Sequence, residues 1–222
     1  MRPKDINFRK ESFLFKRCER CPDEDLIGEE RLLRNPIIDT ALDRIMEDYV
    51  PQNKYAIFSL CTSSRPYITS VKWKAFYRDF GHCCDLIICS NGGIIPMEYA
   101  YCWPFMSYDA HGNSSTDSLY KELFEKRLVK FLNKFGDSWE KKIFTFIPSS
   151  RNREVINKLG LQYNLPSLEV YKQTFKEGSP GVNIQRFPQA SHQCLNEMAE
   201  VLGVERLSLQ KGKKLYRREI NR

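Results

Sequence analysis

Three short apolar runs constrain the fold more than any other feature of this sequence. They read KYAIFSLC, CDLIICS and KKIFTFIP, and they end at Cys61, Ser90 and Pro148. Nearly continuous apolar runs of this length predict strands that are covered on both faces. Segments with apolar residues at helical spacing separate them. The sequence therefore predicts a three-layer α/β fold, with a mainly parallel central sheet and helices on both faces.

The segments between these runs predict helices with clear ends. The first begins at Asn35-Pro36, because Asn suits the N-cap and Pro the first helical position, and it stops near Pro51. A second helix ends at Gly81, and a third spans about 117–135. The remaining predictions are a turn in NGGIIP, a short helix in SSRNREVINKLG, a weaker fourth strand in SLEVYKQ and a last helix over 190–202.

Length and composition are those of an ordinary globular protein. The 222 residues are enough for one large domain or two small ones. We interpret 1–30 as an irregular N-terminal segment, 31–203 as a single α/β core domain and 204–222 as a basic C-terminal tail. No apolar run reaches the roughly 18 residues that cross a bilayer, and the N-terminus lacks an apolar signal region. A cytoplasmic protein without a membrane partner is expected.

The eight cysteines do not form a recognisable disulfide or zinc pattern. Cys18 and Cys21 have the spacing of a zinc-binding pair, but a second pair at a suitable interval is missing. A structural metal or a local redox pair there stays a minor alternative. Phosphate-binding, dinucleotide-binding, zinc-protease and serine-hydrolase motifs are also missing. No cofactor and no metal are predicted.

Polar segments follow the three predicted strands, and ligands bind beyond the carboxyl ends of such strands. These segments are TSSRPY, the stretch from Ser90 to Gly112, and SSRNR. In the first, Arg65 and a helix N-terminus would stabilise a nucleophilic Cys61 thiolate. Arg65 would otherwise clamp a phosphate, or be a surface cation beside a core cysteine. The candidate binding residues of this segment are Ser63, Tyr67 and Ser70.

The second segment is unusually rich in aromatic residues for a loop. Aromatic faces stack on bases, and a carboxylate such as Glu98 accepts hydrogen bonds from base edges or moves protons. The alternative is a loop that packs on its own hydrophobic base. A Cys61–His111 pair is a weaker alternative. The candidate binding residues here are Ser90, Asn91, Gly92, Pro96, Tyr108 and Asp109.

The net charge of +7 is concentrated at the C-terminus, where KGKKLYRREINR carries six Lys or Arg and one Glu. A basic tail of this kind binds phosphates, or else it is a solvated terminus. The candidate nucleic-acid-binding residues are Lys211, Lys213, Lys214, Arg217 and Arg218.

Two of these stretches resemble the archaeosine synthase family. LCTSSRPYITSVKW is similar to its signature of Pro-Cys, three residues, Lys-Pro-Tyr, two residues, Ser, two residues and His. SNGGIIPMEYAYCWPFMSYD resembles the second signature of the same domain. The resemblance covers roughly 30–160. The residues that match are Cys61, Pro66, Tyr67, Ser70, Pro96, Glu98, Pro104, Tyr108 and Asp109.

This resemblance implies a function in tRNA modification. Archaeosine synthase, an archaeal enzyme, adds lysine across the nitrile of 7-cyano-7-deazaguanine in tRNA, and its core domain is associated with a uracil-DNA-glycosylase-like fold. Full-length members also carry RNA-binding domains, which partner subunits would have to supply here. Leu60, Arg65 and Trp73 replace the Pro, Lys and His of the signature, and Trp cannot carry protons as His does.

Three functions are therefore expected in descending order. The first is amine addition to the base nitrile, with Cys61, Arg65 and Glu98 as the catalytic residues and tRNA or a deazaguanine base as the partner. The second is a non-catalytic tRNA-binding or nucleic-acid-binding paralogue on the same fold. The third is a glycosylase-type hydrolase, which rests on fold analogy alone.

Overall fold

A five-stranded sheet forms the centre of the computed structural model, which describes residues 26–63, 67–108 and 114–207. Its strands are β1 (Tyr55–Leu60), β2 (Cys84–Ser90), β3 (Gly93–Pro96), β4 (Lys141–Thr145) and β5 (Asn164–Leu165). The order across the sheet is β3-β2-β1-β4-β5. Only β3 is antiparallel to its neighbour. Strand β1 lies at the centre of the sheet, and nearly all of it is buried, as its continuous apolar run predicts.

Seven α-helices surround this sheet in the described residues. They are α1 (Glu29–Arg34), α2 (Pro36–Asp48), α3 (Val71–Phe80), α4 (Asp117–Phe135), α5 (Arg151–Lys158), α6 (Leu168–Glu177) and α7 (His192–Leu202). Helix α4 packs on β3 and contacts α1 and α5, while α3, α6 and α7 meet around the short turn Pro188–Ala190. The prediction of a three-layer α/β fold with a mostly parallel sheet is confirmed. None of the described helices combines the length and the apolar character that crossing a membrane requires.

The aromatic residues of the sheet and of α4 form much of the core. Phe58 of β1 stacks on Phe144 of β4 with ring centres 4.9 Å apart, and its edge meets Phe131 of α4 at 6.2 Å. Trp139 packs against Phe58 as well, and its indole N–H donates to Asp85 at 2.8 Å. Aromatic pairs add about 0.5–1.5 kcal/mol each beyond the area they bury. Because these rings come from β1, β4 and α4, they hold the long helix on the sheet.

The start of α2 is found where the sequence predicts it, and α3 begins with a similar local cap. The Asn35 side chain accepts a hydrogen bond from the Ile37 N–H at 3.1 Å, and Pro36 occupies the first position of α2. The Ser70 hydroxyl caps α3 by accepting from the Trp73 N–H at 3.3 Å. These caps use side chains within three residues of the donor, so local sequence is enough to predict them.

Three local predictions differ from the structure. SLEVYKQ is not a strand: the Ser167 hydroxyl caps α6, and the apolar side chains of Leu168, Tyr171 and Phe175 recur at helical spacing. The fourth parallel strand is the short segment Asn164–Leu165 just before it. NGGIIP contains a turn but continues as β3. Helix α1 begins at Glu29, inside the segment predicted to be irregular, whereas residues 1–25 lie outside the described residues.

Candidate active site

The carboxyl end of the central strand holds the principal candidate nucleophile. Cys61 directly follows β1, and its backbone N–H donates to the Cys89 carbonyl at 2.9 Å. Its thiol is free and half-buried. The neighbouring Cys89 thiol is fully buried, and burial raises its pKa far above the usual range. Of these two cysteines, Cys61 is therefore the one that a substrate can reach.

Lys72 brings a buried positive charge to the same edge of the sheet. Its side chain projects from the first turn of α3, the residue is only 3% exposed, and its ammonium donates to the Leu60 carbonyl at 2.5 Å. Burial lowers the pKa of Lys72 to about 8, while negative charge at Cys61 and at Cys89 acts in the opposite direction. The lysine side chain thus contacts the residue that precedes Cys61 and interacts electrostatically with its thiol.

Two tyrosines and a glycine turn form a packed wall beyond β2. The hydroxyls of Tyr67 and Tyr108 share a hydrogen bond, and both residues are buried. The Gly92 N–H donates to the Ser90 hydroxyl at 3.0 Å. A Cβ on Gly92 would lie 3.1 Å from Cε1 of Tyr108 and 3.4 Å from the Ser90 hydroxyl oxygen. A side chain at position 92 would therefore crowd both neighbours, which explains a glycine here.

Asn91 lies at the edge of a buried polar cluster that links β2 to α5. Its side-chain oxygen accepts from Arg151 at 3.2 Å. The Arg151 guanidinium also pairs with the buried carboxylate of Glu29, and it stacks on Tyr120 with its central carbon 3.5 Å from the ring centre. The Tyr120 hydroxyl accepts from Asn152 at 2.6 Å. Negative charge at Cys61 contributes to raising the pKa of Tyr120, after the larger effect of burial.

The residues of the predicted site that follow β1 differ in burial and in role. Ser63 is exposed, and its hydroxyl accepts from Arg186 at 3.3 Å. Ser70 is buried and caps α3. Trp73, which replaces the signature histidine, is fully buried against Phe76, and its indole N–H has no hydrogen-bond partner among the described residues. The side chain at this position therefore belongs to the core, where it cannot exchange protons.

Glu98 and Pro96 are not at the carboxyl edge with Cys61. Strand β3 is antiparallel to β2, and Pro96 pairs with Ile87, three residues before Ser90. At about 3.3 Å per residue, the chain has by then moved roughly 10 Å away from that edge. Burial and then the negative charge of Asp85 raise the pKa of Glu98 to about 7, and Asp85 is near the start of β2. The structure therefore does not join Glu98 to the Cys61 thiol.

Several predicted residues lie outside the described residues. They are Cys18, Cys21, Arg65, Asp109, His111, Lys211, Lys213, Lys214, Arg217 and Arg218. Within 26–63, 67–108 and 114–207, no three His, Cys, Asp or Glu side chains come together as metal ligands.

Sequence signals could have identified some, but not all, of the residues around Cys61 that were not predicted as site residues. Arg151 and Asn152 belong to SSRNR, which was expected at this edge because it follows a strand. Tyr120 was assigned to the apolar face of a helix, and Lys72 has the sequence position of an ordinary helix-start lysine. Glu29 lay in the segment predicted to be irregular. Burial and an electrostatic interaction with Cys61 distinguish Lys72 and Tyr120, and these properties are tertiary.

The comparisons with known proteins identify a family without a described function. A family model described as "Domain of unknown function (DUF5591)" matches residues 38–177. A solved structure, the crystal structure of AF0587, a protein of unknown function, is similar at 19% sequence identity and a TM-score of 0.43. The similarity covers 74% of this chain and 57% of that one. No curated protein matches the sequence. The chain therefore belongs to the DUF5591 domain family.

Proposed function

We propose that this chain is an archaeosine-synthase-like enzyme that adds an amine to the nitrile of 7-cyano-7-deazaguanine, with Cys61 as its nucleophile. The observation that carries the proposal is the half-exposed Cys61 thiol at the carboxyl end of the central strand, with the buried ammonium of Lys72 bonded to the carbonyl of the preceding residue. A neighbouring cation favours the thiolate, which is the reactive form of cysteine. The substrate class is inferred from the two stretches that resemble the archaeosine synthase signatures.

The reaction proceeds in two steps. The Cys61 thiolate adds to the nitrile carbon, the nitrile nitrogen takes up the proton that left the thiol, and a thioimidate forms. An amine then adds to the same carbon, the carbon–sulfur bond breaks, and the thiol regains a proton. The product is an amidine, and the enzyme is unchanged. No redox partner is needed, because the nitrile carbon keeps its oxidation level throughout.

The residues just beyond β2 include the kinds of group that bind a planar base. Ser90, Gly92 and Tyr108 pack together just beyond β2, and Asn91 is held there by Arg151. Aromatic and amide groups are the ones that recognise bases by stacking and by hydrogen bonding. Glu98 is not assigned to base binding or to catalysis in this proposal. Lys72 provides a cation in the described residues, whereas the predicted role of Arg65 rests on the sequence alone.

Intact-mass measurement tests the covalent step. We expect incubation with the 7-cyano-7-deazaguanine base to increase the protein mass by that of the whole base, because addition to a nitrile expels no group. The adduct should be missing in Cys61→Ala and present in Cys83→Ala, which removes the other half-exposed described thiol. Added lysine should release it as an amidine. The covalent mechanism is wrong if no adduct forms and Cys61→Ala still modifies tRNA.

A non-catalytic tRNA-binding paralogue is the second candidate. The buried Trp73 favours it, because the signature histidine is replaced by a residue without an exchangeable proton in the physiological range. This candidate predicts salt-dependent tRNA binding that survives Cys61→Ala and falls when 211–222 is deleted. Two other expectations rest on the sequence alone: partner subunits that carry RNA-binding domains, and a glycosylase-type hydrolase activity.

A further inference from the structure

Lys72 differs from the other buried cations that surround the sheet. Arg151 pairs with Glu29, and Arg206 pairs with Asp79 at 2.9 Å. In the described part of the chain, no carboxylate lies within ion-pair distance of Lys72, and its ammonium donates one hydrogen bond, to the Leu60 carbonyl. A buried ammonium without a counter-charge is costly, and it normally loses its proton more easily. The ammonium also lies 5.3 Å from the centre of the Trp73 ring, and such a cation–π contact offsets only part of the cost of burial.

We propose that Lys72 is the residue that activates Cys61, by stabilising its thiolate with the positive charge of its ammonium. The inference rests on the proposed function for the role of Cys61, but the state of the Cys61–Lys72 pair can be measured separately. The step involves one proton: the Cys61 thiol releases it to solvent, and Lys72 stays an ammonium that stabilises the resulting thiolate. Lys72 acts on the substrate only through Cys61, so it is a positioning residue and not a catalytic one.

The backbone fixes the position of the ammonium. The Leu60 carbonyl that accepts from Lys72 belongs to the residue immediately before Cys61, and the Cys61 N–H is itself fixed on the Cys89 carbonyl. Ser70 caps α3 two residues before Lys72, so the lysine projects from a defined first turn. Helix α3 thus holds the charge of Lys72 at the peptide that joins Leu60 to Cys61, from where it would stabilise the thiolate.

Besides Cys61, the titratable groups that interact with Lys72 or with its neighbours are buried. Cys61, directly after β1, and Cys89 of β2 interact electrostatically with Lys72, and Tyr120 of α4 interacts with both cysteines. Burial raises the pKa of Cys89 and of Tyr120 far enough to keep both neutral. Burial lowers the pKa of Lys72 to about 8, which is still above neutral pH, so the charge that stabilises the thiolate is present there.

The pH dependence of Cys61 alkylation tests this role. The protein is treated with iodoacetamide between pH 5.5 and 10, and modification of the Cys61 peptide is followed by mass spectrometry. We expect the midpoint of the rate profile to rise by about one pH unit in Lys72→Met, with alkylation roughly tenfold slower at pH 7. Lys72→Arg keeps the cation and should restore most of the lower midpoint.

Two controls separate this effect from a change in folding. Lys74→Met removes a half-buried lysine from the same helix and should leave the midpoint of the Cys61 profile unchanged. The Cys83 peptide of each digest is an internal reference. Met has a similar volume to Lys and no charge to bury, so Lys72→Met should unfold at the same temperature as the wild type or higher.

The outcomes distinguish the inference from the proposed function. A midpoint in Lys72→Met within about 0.2 pH unit of the wild type would overturn the role of Lys72, even if the nitrile adduct forms. A shifted midpoint in Lys72→Met, restored in Lys72→Arg, would support it even if the nitrile fails to add. In that second case the thiol is activated for a different electrophile, and only the proposed function is wrong.

Discussion

The ion pair between Glu29 and Arg151 joins α1 to α5, and we expect Glu29→Gln to destabilise the protein strongly. Glu29 is 4% exposed. Its carboxylate accepts hydrogen bonds from the Arg151 guanidinium and from the Thr116 hydroxyl. Glutamine has the same shape and still accepts hydrogen bonds. The substitution therefore removes mainly the negative charge, and it leaves a guanidinium that is largely buried without its main partner.

The magnitude follows from the burial of the two side chains. Removing one partner of a buried pair costs about 3–5 kcal/mol, because the other charge is left uncompensated. The Arg151 side chain keeps 19% of its exposure and lies 3.7 Å from Asp117, so we expect the lower end, about 3 kcal/mol. For a protein of this size, 1 kcal/mol corresponds to roughly 2–4 °C in Tm. Glu29→Gln should therefore melt about 6–12 °C lower.

Urea unfolding followed by tryptophan fluorescence would measure this difference, since Trp73 and Trp139 are buried in the core. The next residue provides the matched control. Glu30 pairs with Arg34 at 3.2 Å, with both side chains about two-thirds exposed, and such surface pairs contribute about 0–1 kcal/mol. Glu30→Gln should therefore leave the free energy of unfolding nearly unchanged.

A double variant completes the test of the ion pair. If the charges of Glu29 and Arg151 stabilise each other, Glu29→Gln combined with Arg151→Met should be less destabilised than the sum of the single variants, by at least about 1 kcal/mol. Additive effects, or equal losses for Glu29→Gln and Glu30→Gln, would show that the buried charge pair is not the cause.

Two further perturbations probe the β2–β3 turn and the neighbouring carboxylates. Gly93→Ala should lower the free energy of unfolding by about 2–4 kcal/mol in urea titrations, because φ is +115° and the new Cβ would lie 2.5 Å from the Leu42 side chain. The control is Gly160→Ala, at φ +64° with open space around it, which should cost only about 1 kcal/mol. Equal losses in the two variants would contradict the steric argument. The raised pKa of Glu98 means that its contribution to stability is present below about pH 4.5 and is lost as pH rises through about 7. In denaturant titrations across pH, Glu98→Gln should therefore make the free energy of unfolding depend less on pH between these two values. If the pH dependence is unchanged in this variant, Glu98 is not the group that causes it.

Local sequence signals predicted much of the fold. The three apolar runs became β1, β2 and β4, and α2, α3 and α4 begin or end at the residues that the sequence indicates. These predictions depend on caps and on apolar periodicity, which act within a few residues. The error at SLEVYKQ has the same origin. Val170 and Tyr171 suit a strand, but the Ser167 cap and the helical spacing of its apolar residues determine α6.

The grouping of residues around Cys61 depended on the tertiary structure. Cys61 could be expected at the carboxyl end of a parallel strand from topology alone. Glu98 could not be placed, because a single antiparallel strand carries the chain away from that edge, and the sequence NGGIIP does not distinguish a loop from a strand. The assignment of Glu98 to catalysis depended on a proximity that the structure does not contain.

The sequence by itself determined the α/β class, the capped helices and the position of a thiol at the end of the central strand, because each depends on short-range patterns. Only the tertiary structure decided that Lys72 is buried, with its ammonium bonded to the carbonyl of the residue before this thiol. A lysine in the first turn of a helix is ordinarily solvated, and its burial here depends on how α3 packs over residues that are distant in the chain. The same packing removes water from the ammonium and lowers its pKa, and the proposed chemistry of Cys61 depends on the charge that is still present at neutral pH.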